Sequence, residues 1–231
     1  TQHAVPKLAD ALERVLGPRD DMTDEVLGLK AAFEAELTKL QPTQSDLQVI
    51  SEVLGDEGTL VCDLTQVTYA SYYAFKAPRP RSYVFPGYAG TLGWGVPAGI
   101  GAQIACPERR VISVQGDGGF MYGATEIATA VKYNVPVVMV VYNDGAFGNV
   151  KRIQEQRFGH NRTIASDLTN PDIPAFAETF GAMGLRAETP EDLRGALRQA
   201  FAARRPAVIE VPVPTGSDSS PWPFIHPAPP V

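Results

Sequence analysis

The sequence predicts an α/β fold, a doubly wound parallel sheet of about six strands with helices on both faces. Two apolar runs at 111–115 and 137–142 have the length and β-branched composition of buried strands. Between them, residues 123–133 show the spacing of an amphipathic helix. Polar residues end both runs, Gly116-Asp117-Gly118 after the first and Asn143-Asp144 after the second. Strand, helix and strand in this order indicate a right-handed parallel crossover.

The remaining elements follow this pattern along the chain. Residues 1–42 are predicted to form two helices, and we interpret them as a helical connector. Ser45 is expected to cap a helix through Leu54, and a glycine turn then leads into a strand at 59–63. The later segments are helices at 69–75, 93–105, 150–156, 174–180 and 190–203, a proline-rich stretch at 78–86, and strands near 183–187 and at 207–213.

Residues 43–213 are therefore assigned to one domain, and 214–231 to a proline-rich C-terminal tail. The prolines of this tail predict that it forms no regular structure. Its aromatic residues Trp222 and Phe224 predict that it docks on a surface. The chain begins at Thr1 rather than Met, from which we expect a fragment or a processed product.

The composition narrows the class of protein. Of 231 residues, 44% are hydrophobic and 20% are charged, which is typical of a globular domain. The net charge of −6 argues against binding to nucleic acid or to an anionic membrane. Cys62 and Cys106 form no metal-binding pair and are interpreted as buried, reduced thiols, which predicts a cytoplasmic protein.

Asp117 and Asp144 are the strongest candidates for a functional site. Each follows a strand of the crossover, and open parallel sheets bind ligands at the carboxyl ends of their strands. Two carboxylates among glycines suit Mg²⁺, which takes oxygen ligands from one or two carboxylates together with phosphate groups. A pair of simple turns is the alternative interpretation.

The same residues resemble the signature of the thiamin-diphosphate (ThDP) enzymes, in which GDG is followed one crossover later by NN or ND. The stretch from Gly90 to Ala102, GTLGWGVPAGIGA, is similar to the G-x-M-G-x-G-x-P-x-A-I-G-A motif of the acetolactate synthase branch. The resemblance implies the C-terminal, diphosphate-binding domain of an acetolactate synthase-like enzyme. It also implies decarboxylation of a 2-oxo acid, with or without carboligation.

The resemblance assigns a role to each matching residue. Leu92 would be the apolar wedge that bends the cofactor, and the Gly90 carbonyl would accept a hydrogen bond from its aminopyrimidine. Thr65 and Gln66 would hold the diphosphate. Mg²⁺ would be bound by the carboxylates of Asp117 and Asp144 and by the Ala146 carbonyl. The residues expected to line the cofactor beside these are Gly116, Gly118, Gly119, Phe147, Gly148 and Asn149.

In this family a glutamate on a separate pyrimidine-binding domain activates the cofactor, and we find no counterpart in this chain. Glu126 and Glu155 lie on the diphosphate side and do not match it. We therefore expect no catalytic residue in this chain, a pyrimidine-binding partner in cis or in trans, and a homo-oligomer. Asn149 and Ile153 stand where the synthases carry a Met and a Trp of the second-substrate pocket, and Val67 replaces a His near the phosphates.

Three alternatives remain open. The chain could be a split subunit of a 2-oxo acid decarboxylase that a partner chain completes. It could also be a non-catalytic orphan domain. A nicotinamide-binding Rossmann domain is the third, although Gly116-Asp117-Gly118-Gly119 is not GxGxxG. Four basic residues, Arg152, Arg157, Arg162 and the loop residue His160, are interpreted as a solvated face rather than as substrate ligands.

Overall fold

The computed structural model describes residues 4–16, 21–214, 216–217 and 221–225. The chain divides into two compact units between Thr38 and Lys39. The first unit contains helices α1 (Ala4–Leu16) and α2 (Thr23–Leu37), and a 3-10 turn follows at Thr38–Leu40. The second unit contains the sheet. Within the ranges just given, no helix is both long and apolar enough to cross a membrane.

The second unit is built on a six-stranded sheet in which every paired strand is parallel, so the predicted fold class is confirmed. The order across the sheet is β2-β1-β3-β4-β6-β5. The strands are β1 (Thr59–Cys62), β2 (Tyr83–Val84), β3 (Val111–Gly116), β4 (Val138–Asn143), β5 (Met183–Arg186) and β6 (Ala207–Pro212). Strands β3 and β4 are direct neighbours, which brings the ends of the two motif strands together.

Helices pack against both faces of this sheet. The α-helices of the second unit are α3 (Thr43–Leu54), α4 (Gln66–Ala74), α5 (Gly95–Ala105), α6 (Asp117–Gly123), α7 (Ile127–Lys132), α8 (Gly148–Phe158), α9 (Ile173–Thr179), α10 (Pro190–Ala203) and α11 (Trp222–Ile225). One core cluster joins α5, α6, α7 and α9 to alternate β4 residues such as Met139 and Val141. Because strand side chains alternate between faces, Val138 and Val140 are buried on the opposite face.

Local sequence explains where several helices begin. Thr189 caps α10 through a capping box with Asp192, and Pro190 occupies the first helical position. Asp172 caps α9 by accepting a hydrogen bond from the Ala175 amide at 2.9 Å. The prediction that Ser45 caps α3 is wrong. The helix begins two residues earlier, and the Ser45 hydroxyl donates to the Gln41 side chain at 2.7 Å.

Three further predictions need correction. The helix after GDG begins at Asp117, and a 3-10 turn at Ala124–Glu126 separates α6 from α7. The proline-rich stretch contains the short strand β2. Prolines beside this strand are tolerated because β2 lies at the edge of the sheet. The tail contains one helical turn, α11, although regular structure was excluded there. Its other residues at 215, 218–220 and 226–231 lie outside the described residues.

Candidate cofactor site

A cavity of about 240 Å³ opens at the carboxyl ends of β1, β3 and β4. It is lined by Leu64, Thr65, Gln66, Tyr69, Leu92, Gly116, Asp117, Gly118, Gly119, Tyr142, Asp144, Ala146, Phe147, Gly148, Asn149, Val150 and Val213. Every residue that the sequence assigned to a cofactor or metal is in this set except Gly90. That glycine lies beside the lining residue Leu64, whose Cδ1 is 3.7 Å from the position of a Cβ at Gly90.

Asp117 is the most deeply buried acidic group of the cavity, with only 1% of the residue exposed. It is the first residue of α6, at the point where β3 ends. One of its oxygens, Oδ2, accepts hydrogen bonds from the Gly145 amide at 3.1 Å and from the Asn170 side chain at 2.6 Å. Burial raises the pKa of Asp117, and these hydrogen bonds oppose the rise. A cation beside the carboxylate would stabilise the charged form further.

Asp144 and Ala146 shape the turn that follows β4. The Ala146 amide donates to Oδ1 of Asp144 at 3.1 Å. A short antiparallel bridge holds this turn through the Phe147 amide, which donates to the Ser166 carbonyl at 2.8 Å, and through the Gly145 carbonyl. The Ala146 carbonyl takes no part in the bridge. Among the described residues nothing donates a hydrogen bond to it, and it remains available as an oxygen ligand.

The protein offers two carboxylates and one carbonyl at this edge, which is too few for a complete metal shell. Among the described residues no group of three or more His, Cys, Asp or Glu side chains could hold an ion. Octahedral Mg²⁺ therefore fits here only with further oxygens from a phosphate group or water. The donor set suits a metal that arrives with a phosphate-bearing ligand.

Glycines on both sides of the carboxylates are required by close packing. A Cβ at Gly118 would overlap the Phe147 ring, and one at Gly148 would overlap the Asp144 carboxylate. At Gly119 a Cβ would come within 3.3 Å of the Asp63 carboxylate. The absence of side chains at these glycines lets Phe147, Asp144 and Asp63 approach the backbone closely at the edge of the cavity.

Groups that bind anions face the same cavity. Helix α8 begins at Gly148, and the first amides of a helix have no partner within it, so they can donate to an anion such as a phosphate. Gln66 is the first residue of α4 and is largely buried. Its Oε1 atom is buried with no hydrogen-bond partner. A rotated amide would place the NH₂ group there as a donor to a phosphate.

Asn170 is a site residue that the sequence did not reveal, and Asn143 belongs to the predicted Asn143-Asp144 motif but was assigned no role. The Asn170 amide donates both to Asp117 and, at 2.9 Å, to Oδ1 of Asn143. Asn143 in turn donates to Glu210 on β6 at 2.7 Å, and Glu210 pairs with Arg186. These contacts fix the turn that carries Asp144. An Asn before a proline predicts only a turn, so no sequence signal marks Asn170.

The C-terminal segment also reaches the rim of the cavity. The Trp222 indole donates to the Asn149 side chain at 2.7 Å, and its ring centroid is 5.5 Å from that of Tyr69. The sequence predicted this docking but did not identify its partners. His160, by contrast, has a side chain that is 91% exposed. Glu126 and Glu155 do not line the cavity.

Comparison with known proteins supports this assignment. The family model described as "Thiamine pyrophosphate enzyme, C-terminal TPP binding domain" matches residues 63–211. The chain is 39% identical to an acetolactate synthase of Bacillus subtilis over 72% of this chain and 30% of that protein. It is 34% identical to a benzoylformate decarboxylase of Pseudomonas aeruginosa over 89% of this chain and 38% of that protein.

A solved structure gives the same answer. The ThDP-dependent 4-hydroxybenzoylformate decarboxylase of Rhodococcus jostii superposes with a TM-score of 0.69 at 31% identity, covering 76% of this chain and 33% of that one. The chain spans about a third of the length of the relatives that it matches. With the cavity, the two strand-end motifs and these matches in agreement, the chain belongs to the ThDP enzymes and contains their C-terminal ThDP-binding domain.

Proposed function

We propose that this chain is the diphosphate- and Mg²⁺-binding half of an enzyme that acts on a 2-oxo acid, by decarboxylation with or without carboligation. One observation carries the proposal. Asp117, Asp144 and Ala146 line a single cavity at the carboxyl ends of the strands. Two relatives named as decarboxylases of benzoylformates, which are 2-oxo acids, support the reaction class.

In this proposal neighbouring residues of the cavity hold the metal and the diphosphate of the cofactor. Asp117, Asp144 and the Ala146 carbonyl bind Mg²⁺, and the first amides of α8 together with Thr65 and Gln66 bind the diphosphate. The metal gains its remaining ligands from the phosphates, which explains why two carboxylates suffice. Binding is then mutually dependent, because neither the ion nor the anion is fully coordinated without the other.

When bound, ThDP supplies an electron sink for the bond that is cleaved next to the substrate carbonyl. The chain contributes an apolar wall of Leu64, Leu92, Val150 and Val213, which excludes water and strengthens electrostatic interactions at the reacting end.

We further propose that the activating glutamate belongs to a pyrimidine-binding domain, supplied in cis or in trans, and that the complete protein is a homo-oligomer. The acidic residues that line the cavity are Asp117 and Asp144, both assigned to the metal. The coverage of about a third of each relative supports the presence of further domains in the complete protein. A cytoplasmic location stays a prediction from the unpaired cysteines.

Calorimetric titration of the chain with ThDP, with and without Mg²⁺, tests the proposal. We expect roughly 1:1 binding that requires the metal. Asp117→Ala should abolish it, and the isosteric Asp117→Asn should weaken it by at least about 100-fold, since a neutral amide oxygen lacks the charge with which a carboxylate attracts Mg²⁺. Glu108→Ala, at the opposite edge of the sheet, serves as the matched control. If the Asp117 variants bound ThDP as tightly as the wild type, with unchanged circular dichroism, the metal assignment would be refuted.

A further inference from the structure

The described part of the C-terminal segment, residues 221–225, packs on the rim of the cofactor cavity. Trp222 contacts Tyr69, and Phe224 lies 5.9 Å from Tyr73 between ring centroids. Tyr69 lines the cavity, as does Asn149, to which the Trp222 indole donates. The segment therefore contacts the cavity wall from outside.

Two donors fix the orientation of the Asn149 side chain. Its Oδ1 accepts from the Trp222 indole at 2.7 Å and from a guanidinium nitrogen of Arg152, also at 2.7 Å. Neither an indole N–H nor a guanidinium can accept a hydrogen bond. A rotated amide would place its NH₂ group against these two donors, so this amide has one favourable orientation.

The same two residues support each other. The Arg152 guanidinium carbon is 5.8 Å from the centroid of the Trp222 ring, in cation–π geometry. Its other terminal nitrogen donates to Gln156 at 3.2 Å. Arg152 is thereby held in one conformation at the rim, unlike the exposed Arg157 on the same helix.

The consequence is an oriented amide donor on a residue that lines the cavity. With Oδ1 turned outward, the Asn149 Nδ2 group points the other way and makes no hydrogen bond to any described residue. Asn149 lines a cavity whose other walls are largely apolar. Because Asn149 is half-buried at this wall, its NH₂ group is accessible and can donate to an acceptor oxygen on a ligand.

We propose that Trp222 and Arg152 are positioning residues that present the Asn149 NH₂ group to an acceptor oxygen of the bound ligand. This inference rests on the proposed function. Two sources offer such an oxygen, the diphosphate of the cofactor and the 2-oxo acid. The C-terminal segment thus contributes to ligand recognition by orienting a side chain that it does not itself supply.

The orientation can be tested without any ligand, by nitrogen-15 NMR of the chain. The sequence has two tryptophans, so Trp94→Phe assigns the Trp222 indole signal. In Asn149→Leu we expect an upfield shift of that proton and faster exchange with water, by about fivefold for one lost hydrogen bond. Asn149→Asp keeps an acceptor oxygen at the Oδ1 position and should keep the bonded shift. An indole signal that is the same in the wild type and in Asn149→Leu would overturn the orientation.

The ligand contact is tested by following the side-chain NH₂ signals of Asn149, which are assigned by their loss in Asn149→Asp. A shift on addition of ThDP and Mg²⁺ identifies the diphosphate as acceptor, and a shift only after pyruvate is added to the loaded chain identifies the 2-oxo acid. Either result supports the proposal. Signals that stay unmoved while calorimetry shows bound ThDP would overturn it.

Variants separate positioning from simple packing. Trp222→Phe keeps the ring contacts and removes only the indole donor, so affinity for the identified ligand should fall by about fivefold with little change in thermal stability. Phe224→Leu loosens the same segment without touching Asn149 and should leave the affinity unchanged. Equal losses in both variants would overturn the positioning role.

Failure of the wild type to bind ThDP would refute the proposed function and the ligand contact together. The comparison of the indole signals would still decide the orientation of Asn149.

Discussion

The two edges of the sheet carry cavities of opposite character. At the carboxyl edge a cavity of about 240 Å³ is lined by the buried Asp117 and the half-buried Asp144, with glycines beside them. Near the amino ends of β3 and β4 a larger one of about 620 Å³ is lined by charged side chains. Those charged residues are Glu52, Glu108, Arg109, Arg110, Arg198 and Arg204.

The charged groups of the two cavities are held in different ways. Asp117 is buried and fixed by a backbone amide and by Asn170. At the amino edge, Glu52 pairs with Arg194 and with Arg198, the latter at 3.3 Å, and its side chain remains 52% exposed. Exposed ion pairs are weakly held and screened by salt. Cavity size is therefore a poor guide to function in this molecule, and the smaller site is the one in which burial and hydrogen bonds fix the reactive groups.

The largest effect is expected from a methyl group added to the carboxyl edge. In Gly118→Ala the new Cβ would overlap the Phe147 ring, which is itself part of the cavity wall. Displacement of this ring should reduce ThDP affinity by at least about 100-fold and cost roughly 1–3 kcal/mol of stability. Calorimetry and thermal unfolding measure the two effects.

The matched control for this variant is Gly101→Ala on α5. A Cβ at Gly101 meets no atom within 4 Å, and alanine is favoured over glycine in a helix by about 1 kcal/mol. We expect a small gain in stability and unchanged binding. ThDP affinity that survives Gly118→Ala would show that the close approach of Phe147 is not needed for the site.

A second, smaller effect concerns Asp46, which lies behind the carboxyl edge. Burial raises its pKa to about 6, and the nearby hydroxyl of Tyr142, a cavity-lining residue, partly opposes the rise. A raised pKa means that the folded state holds the proton to a higher pH than the unfolded state. The stability that this supplies is complete below the ordinary pKa of 3.8 and is lost as the pH rises through about 6.

Asp46→Asn removes this dependence, because an amide does not ionise. The free energy of unfolding of the variant, relative to that of the wild type, should increase by on the order of 2 kcal/mol from pH 4 to pH 7. Urea unfolding at each pH measures this difference. Asp56→Asn, on the exposed turn after α3, is the control and should show no comparable gain. A constant difference between wild type and Asp46→Asn across this pH range would contradict the burial argument.

The sequence was sufficient to predict the parallel sheet and most of the residues that line the cofactor cavity. Apolar runs with glycine and acid at their ends define β3 and β4, and the parallel crossover then places Asp117 beside Asp144. Strand β2 escaped prediction because two residues among prolines carry no periodicity. The start of α6 at Asp117 was missed because three glycines in one turn conceal a helix.

The contacts that escaped prediction join segments far apart in the chain. Asn170 donates to Asp117, and Trp222 donates to Asn149. The residues of each pair are so far apart in the sequence that no local pattern relates them. Propensity and periodicity describe neighbours along the chain, so they identify the residues that end each strand. The residues that hold those side chains in place depend on tertiary packing.

The smallest expected effect tests the amino edge. Glu52→Gln removes the ion pair with Arg198 and one of the ion pairs of Arg194, which keeps its pair with Glu191 at 3.0 Å. An exposed pair contributes little, so we expect the melting temperature to fall by no more than about 2 °C, and less at high salt.

ThDP binding should be unchanged in Glu52→Gln, since the substitution lies at the edge opposite the cofactor cavity. Calorimetry of this variant beside Gly118→Ala compares the two edges directly. A loss of ThDP affinity comparable to that of Gly118→Ala would show that the edges are coupled through the sheet. Both edges would then contribute to cofactor binding, and they would differ only in how exposed their charged side chains are.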